Sequence, residues 1–245
     1  SQVHQSLMQQ YIIRKGDFPE GKMPNSFFHT GSIGDVWASL PCVKECCTKQ
    51  GIKAIYYLRP DVPASYYDGA VHPTLNESGM QVGLNREMIR MMLPLLKVQP
   101  YIEDARIHTN EKIRVPLNAI RHTFVNMPYH DLRKWYFYIY PDTFCDLSKP
   151  YIFVPDTTKN FAKNKLIIGR TERYTNPEIN YSFLKKYEKD LLFAGTKLEH
   201  IIFNARFDLN IPRLMINDFL ELAQAIKQSL GVLSNQTQLF QIAEG

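Results

Sequence analysis

Apolar residues along the chain fall into two alternating patterns: short unbroken runs, and stripes spaced three and four apart. Residues 26–30 (SFFHT) form such a run and predict a buried strand, which enters the turn Gly31-Ser32-Ile33-Gly34-Asp35. Val36, Leu40, Val43 and Cys47 then recur at helical spacing and predict a helix over 36–50, with Gly51 where a C-cap glycine belongs. Residues 52–58 (IKAIYYL), β-branched and aromatic, predict a second strand that ends at Arg59-Pro60. Strand, glycine turn, helix and strand make a βαβ unit, whose strands must run parallel.

Residues 60–84, rich in Pro and Gly, read as a loop. Met88, Met91, Met92 and Leu95 predict a helix over 85–96, followed by a polar stretch from Ile102 to Asn118. Residues 122–127 (HTFVNM) predict a strand, and 131–140 (DLRKWYFYIY) an aromatic helix or strand. Past Pro141, Pro150 and Pro155 the alternation resumes. Strands are predicted over 165–169, 191–194, 211–216 (broken by Pro212) and 232–233. Helices are predicted over 180–189, 197–204, 218–230 and 235–244, with Asp218 and Glu221 spaced as a capping box. The expected organisation is a polar N-terminal arm over 1–26, one α/β domain over 27–150 and a second over 151–245.

Composition narrows the class. With 44% hydrophobic and 22% charged residues the chain is an ordinary globular one, which excludes a disordered or collagen-like protein. Basic residues exceed acidic ones by 29 to 24, and the excess is spread over both halves without a basic stripe, so nucleic acid is not an expected partner. No run approaches the ~20 apolar residues of a membrane helix. Residues 1–15 lack the basic start and apolar run of a signal peptide. Cys42, Cys46 and Cys47 crowd together, with Cys145 far away, which fits neither a disulfide framework nor a zinc site. A packed cysteine face in a reducing, cytoplasmic setting is the expectation. The chain begins at Ser1 and stops at Gly245 inside a predicted helix, so both ends are expected to be cut points.

In open α/β sheets ligands bind beyond the carboxyl ends of the strands, so the strand-to-helix turns are where chemistry is sought. Four qualify. In the first, His29 to Asp35, Gly31 and Gly34 let backbone pass close to a ligand, Ser32 stands at the helix start, and the free N–H groups there suit an anion. The spacing is neither GxGxxG nor a Walker loop. Asp35 reads as a general base at a cleft, or as a first-turn acid favoured by the helix dipole. In the second, Arg170, Thr171 and Arg173 read as a grip on a diphosphate, or as a solvated loop. In the third, Glu199 reads as a ribose partner or an exposed helix residue. In the fourth, Asn235, Gln236 and Thr237 read as donors to a phosphate, or Ser234 and Asn235 as helix caps. His29 reads as a core or cleft residue, and the aromatic run 135–140 as core.

Taken in order, these turns resemble glycosyltransferase family 9, the ADP-heptose–lipopolysaccharide heptosyltransferases. The resemblance rests most on Gly31-Ser-Ile-Gly-Asp35-Val-Trp-Ala-Ser-Leu-Pro41, a strand, a Gly-Asp turn and a helix containing Leu-Pro. It implies an α/β fold of GT-B type, two Rossmann-like domains, the second stopping short of the last strand and helices. It implies metal-independent, inverting transfer from a nucleotide diphosphate sugar to a hydroxyl of a glycan or lipid-linked acceptor, with no further cofactor, at the cytoplasmic side of a membrane. Asp35 maps onto the family's base, Arg170, Thr171 and Arg173 onto its phosphate loop, Glu199 onto the nucleoside-binding glutamate, and Asn235, Gln236 and Thr237 onto the late turn. The late turn departs from the family, which usually carries an acid where Asn235-Gln236 stands. Two other readings share the fold: a non-catalytic interaction protein, and a nucleotide-sugar 2-epimerase-like isomerase.

Overall fold

A computed structural model describes residues 25–64, 74–122, 131–172 and 175–245. The chain divides into two compact units, the first holding the described residues through Phe153 and the second Val154–Gly245.

The first unit is built on four strands, β1 (Ser26–His29), β2 (Ala54–Leu58), β3 (Ile102–Ile107) and β4 (Val115–Pro116), in the order β3-β2-β1-β4. Every neighbouring pair is parallel, with β1 and β2 matched from Ser26↔Ile55 to His29↔Leu58. Helix α1 (Ile33–Gln50) makes the first crossover and α2 (Arg86–Lys97) lies in the second. Gly51 caps α1 with φ 65°, a left-handed conformation that glycine adopts without a steric penalty. Asn85 caps α2 by accepting a hydrogen bond from the Met88 N–H. Val36, Trp37, Leu40 and Val43 of α1 are all fully buried, so its first half is enclosed on every side, as a helix without a polar face requires.

Three sequence expectations change here. Helix α1 starts at Ile33, placing Gly34 and Asp35 inside its first turn. The buried stripe of α2 is Ile89, Met92, Leu95 and Leu96, while Met88 and Met91 are half-buried. The polar stretch after Ile102 holds β3, whose Glu103 and Arg106 are exposed. An edge strand can carry charge on its open face, so it lacks the apolar run by which the inner strands are recognised. Residues 131–140 are a helix, α3 (Leu132–Ile139), capped by the Asp131 carboxylate. Of the strand expected over 122–127, all but His122 lies outside the described residues, as do the arm up to residue 24 and residues 65–73.

The second unit has a three-stranded parallel sheet in the order β6-β5-β7, from β5 (Leu166–Gly169), β6 (Leu191–Phe193) and β7 (Gly231–Ser234). Helices α4 (Lys197–Phe207), α5 (Phe219–Gln228) and α6 (Gln238–Glu244) follow in chain order. The core gathers Ile168, Leu184, Leu191, Phe193, Phe203, Phe207, Leu209 and Ile211. The helix expected over 180–189 is present as a 3-10 helix, Tyr181–Asp190. Residues 211–216 make a single bridge to β6, with Phe193 N–H donating to the Pro212 carbonyl and Leu214 N–H to that of Phe193. Pro212 has no N–H, so a full ladder cannot form there. The Asp218 carboxylate caps α5, but Glu221 closes on the Asn217 N–H rather than on that of Asp218. Among the described residues no helix is long and apolar enough to cross a membrane.

Candidate functional site

In the first unit the chain moves outward from β1 to β2 and β3, then returns to the far side of β1 with β4. The reversal lies between β1 and β4, and the carboxyl ends of those two strands flank the crevice in which open α/β sheets bind ligands. Two loops leave there. One carries the turn into α1, with Asp35; the other is the 3-10 turn Leu117–Arg121, with Arg121 at its end.

These two residues, 86 positions apart, form a two-pronged ion pair. Arg121 Nε donates to Asp35 Oδ2 at 2.9 Å and Nη2 donates to Oδ1. The Asp35 side chain is 4% exposed, whereas that of Arg121 is 45% exposed. A buried carboxylate without a partner costs far more than one held in such a fork. On its other side the Arg121 guanidinium lies over the Trp135 ring, 5.3 Å from its centroid.

Behind the pair runs a directed chain of hydrogen bonds. Gly31 N–H donates to His29 Nδ1 at 2.8 Å, so the ring proton is on Nε2, which lies 2.8 Å from Tyr136 Oη. The Tyr136 hydroxyl in turn donates to the Asp35 carbonyl at 2.7 Å. Burial holds His29 well below the usual imidazole range, at about 4; the Asp35 charge opposes this and Arg121 adds to it. Burial likewise raises the Tyr136 hydroxyl far above the ordinary phenol value. Both rings are therefore neutral near pH 7, as the chain of bonds requires. The turn is close-fitting: a Cβ on Gly31 would lie 2.6 Å from Asp35 Oδ2 and 2.7 Å from His29 Cε1. A Cβ on Gly83 would meet the Thr30 carbonyl at 2.4 Å, so a second glycine admits the neighbouring backbone. Ser32 stands at the N-cap position, exposed, with no cap hydrogen bond from its side chain.

The second unit repeats the arrangement. The chain goes from β5 to β6 and returns to the far side of β5 with β7, so its reversal lies between β5 and β7. The loops leaving these strands carry Arg170 and Thr171, and Asn235, Gln236 and Thr237. The Asn235 carboxamide joins them, accepting from Thr171 N–H at 3.2 Å and donating to the Thr171 carbonyl at 3.0 Å. Asn235 thus continues the β5–β7 pairing by one side-chain step, and an amide is suited to it because it both donates and accepts. Thr237 caps α6 by accepting from Leu239 N–H, while Gln236 is exposed. Gly169 admits α6, since a Cβ there would lie 2.2 Å from Leu239 Cδ2.

Arg170 is buried rather than open to solvent. Its Nη1 donates to Glu172 Oε1 at 2.9 Å, and its guanidinium lies 5.7 Å and 5.5 Å from the Tyr181 and Phe207 ring centroids. Glu172 also binds Arg206 at 2.9 Å. Glu199 follows the edge strand β6 and closes a capping box with Thr196: its Oε2 accepts from the Thr196 N–H at 2.8 Å, and the Thr196 hydroxyl takes the Glu199 N–H. Arg173 lies outside the described residues. Among those described, no group of three or more His, Cys, Asp or Glu side chains is placed to hold a metal ion. Cys42, Cys46 and Cys47 are buried free thiols, and burial raises Cys46 to about 11 and Cys47 to about 12, so they stay protonated. A depression of about 280 Å³, lined among others by Pro41, Lys44, Cys145 and Tyr151, contains none of the predicted site residues.

Arg121 and Tyr136 are not among the site residues expected from the sequence. Arg121 follows a strand of two residues, too short to leave a periodicity, and Tyr136 is hidden in an aromatic run whose neighbours Phe137 and Ile139 are ordinary core.

No protein-family model matches the chain, and no curated protein sequence is similar to it. Its fold is similar to that of a glycosyl transferase family 9 structure from Veillonella parvula DSM 2008, at 10% identity and TM-score 0.52, over 89% of this chain and 76% of that one. It is also similar to E. coli heptosyltransferase WaaC with ADP-2-deoxy-2-fluoro heptose, at 14% identity and TM-score 0.41, over 89% and 84%. The chain has the mixed α/β fold with parallel sheets of a GT-B-type glycosyltransferase.

Proposed function

We propose that the protein is a glycosyltransferase that moves a sugar from a nucleotide diphosphate sugar to a hydroxyl of a glycan or lipid-linked acceptor, with inversion and without a metal. The observation that supports this most is the place of Asp35: a buried carboxylate in the first turn of α1, at the crevice between β1 and β4, in a fold similar to that of a family 9 glycosyltransferase. In the reaction the acceptor oxygen attacks the anomeric carbon and Asp35 takes the hydroxyl proton. The bond from the anomeric carbon to the diphosphate oxygen breaks, and its electron pair leaves with the diphosphate. Arg173, the Thr171 hydroxyl, Gln236 and Thr237 would stabilise that charge. Arg170 and Asn235 hold the loop through Glu172 and Thr171. Glu199 would meet the nucleoside. On this reading the protein works in the cytoplasm, against a membrane when the acceptor is lipid-linked.

A thermal-shift panel of ADP, UDP, GDP, CDP and TDP tests the donor half. One diphosphate should stabilise the wild type by about 2.7 kcal/mol at a hundred times its dissociation constant, and Arg173→Ala should lose the effect. Asp35→Ala should lower transfer by roughly a hundredfold or more. Wild-type transfer in that variant would remove Asp35 from the reaction. A second reading, a non-catalytic interaction protein on the same fold, is favoured by one observation: Asp35, Arg170 and Asn235 are each engaged with another part of the chain. The absence of any nucleotide shift would select it.

A further inference from the structure

We infer that Arg121 is an exchangeable guard on Asp35: a phosphate-bearing ligand takes the guanidinium away and so releases the carboxylate for its work as a base. The inference rests on the reading of Asp35 as a base. It starts from a conflict in the observed geometry. A general base must offer an oxygen to a hydroxyl; each Asp35 oxygen already accepts one N–H from the Arg121 fork and the side chain is only 4% exposed, so an incoming hydroxyl competes with the guanidinium for the little of the carboxylate that is open. The carboxylate is buried and fixed. Tyr136 holds its backbone carbonyl, and the Gly31–His29 contact holds the turn before it. It is therefore not Asp35 that moves.

Arg121 is the more accessible partner of the two. It ends a 3-10 turn, its side chain is nearly half exposed, and the Trp135 face beside it can support a flat cation in more than one position. Guanidinium forks bind carboxylate and phosphate with the same planar geometry, so a phosphate reaching the crevice competes directly with Asp35. A phosphate-bearing ligand can come from the donor, as its diphosphate, or from a phosphorylated acceptor; the shared chemistry is the phosphate.

The exchange has a consequence that a merely structural ion pair lacks. Removing the Asp35 charge should strengthen anion binding, because the ligand no longer has to displace the carboxylate. The experiment is calorimetric titration of wild type, Asp35→Asn, Arg121→Gln and the double variant, each shown to be folded by circular dichroism. Inorganic pyrophosphate and the five nucleoside diphosphates form one arm, and glucose 6-phosphate the other. Asp35→Asn should bind the effective anion about tenfold more tightly or better, the scale of one charge-assisted pair no longer broken. Arg121→Gln should weaken it, and the double variant should show no gain. The arm that responds names the source. Equal or weaker binding of every anion by Asp35→Asn overturns the exchange, even if a nucleotide binds the wild type and the transferase reading stands. A response to glucose 6-phosphate alone, with no nucleotide bound by any form, would support the exchange and refute the donor assignment.

Discussion

The fit at Gly31 allows one substitution to be worked through. Alanine there needs no unusual backbone angle, so its whole effect is steric. The new methyl would lie 2.6 Å from Asp35 Oδ2 and 2.7 Å from His29 Cε1. Neither neighbour can simply rotate aside, since Asp35 is in the Arg121 fork and His29 is fully buried, bonded at both ring nitrogens. Overpacking of this kind costs about 1–3 kcal/mol. If the carboxylate yields instead, the fork is spoiled, and a hydrogen bond to a charged group is worth about 1.5–3 kcal/mol. The smaller of these losses is taken together with part of the other, so Gly31→Ala should destabilise the first unit by about 3 kcal/mol. At a urea m-value of about 2 kcal/mol/M this lowers the midpoint by about 1.5 M. The assay is urea unfolding followed by the fluorescence of Trp37 and Trp135, both in the first unit. Ser32→Ala is the control, one residue on, exposed and without a cap bond; it should stay within ~0.5 kcal/mol of wild type. A Gly31→Ala variant as stable as that control would refute the account of the turn.

Two further outcomes follow from the same contacts. His29 has its folded pKa depressed to about 4 from 6.5, so the unfolded chain takes up a proton first as pH falls. The stability present above pH 6.5 should therefore decline between 6.5 and about 4, by roughly 3 kcal/mol in all; His29→Gln should flatten that part of the urea-midpoint-versus-pH curve, and an unchanged slope would contradict the neutral ring. In the second unit, Asn235→Asp keeps the acceptor for Thr171 N–H but loses the donor and sets a negative charge against the Thr171 carbonyl. It should cost about 1–3 kcal/mol in thermal or urea unfolding of that unit, and no loss would show that the two loops do not depend on the carboxamide.

The sequence by itself determined the parallel core. The run SFFH, the glycine turn, a helix closed by Gly51 and the run AIYYL are local signals, each spelled out within a few residues, and β1, α1 and β2 follow them. The same holds for the Asp218 cap, which acts over three residues. What the sequence left open depends on edges and on distance. Strand β3 is charged because it lies at an edge, and β4 is two residues long because only Val115 and Pro116 meet β1. The stretch at 211–216 has the composition of a strand, but Pro212 limits it to one bridge. The carboxyl-end rule pointed to the turns that carry Asp35, Thr171 and Asn235, and the structure places those turns after β1, β5 and β7. Their partners were decided by the fold: Arg121 reaches Asp35 across 86 residues, and Asn235 reaches Thr171 across 64. No local pattern encodes such a pairing, because it exists only when strand order brings the carboxyl ends of β1 and β4, and of β5 and β7, side by side. Whether a side chain at a turn stands open to a ligand or is already held by its neighbour is a property of that meeting, and only the tertiary structure decides it.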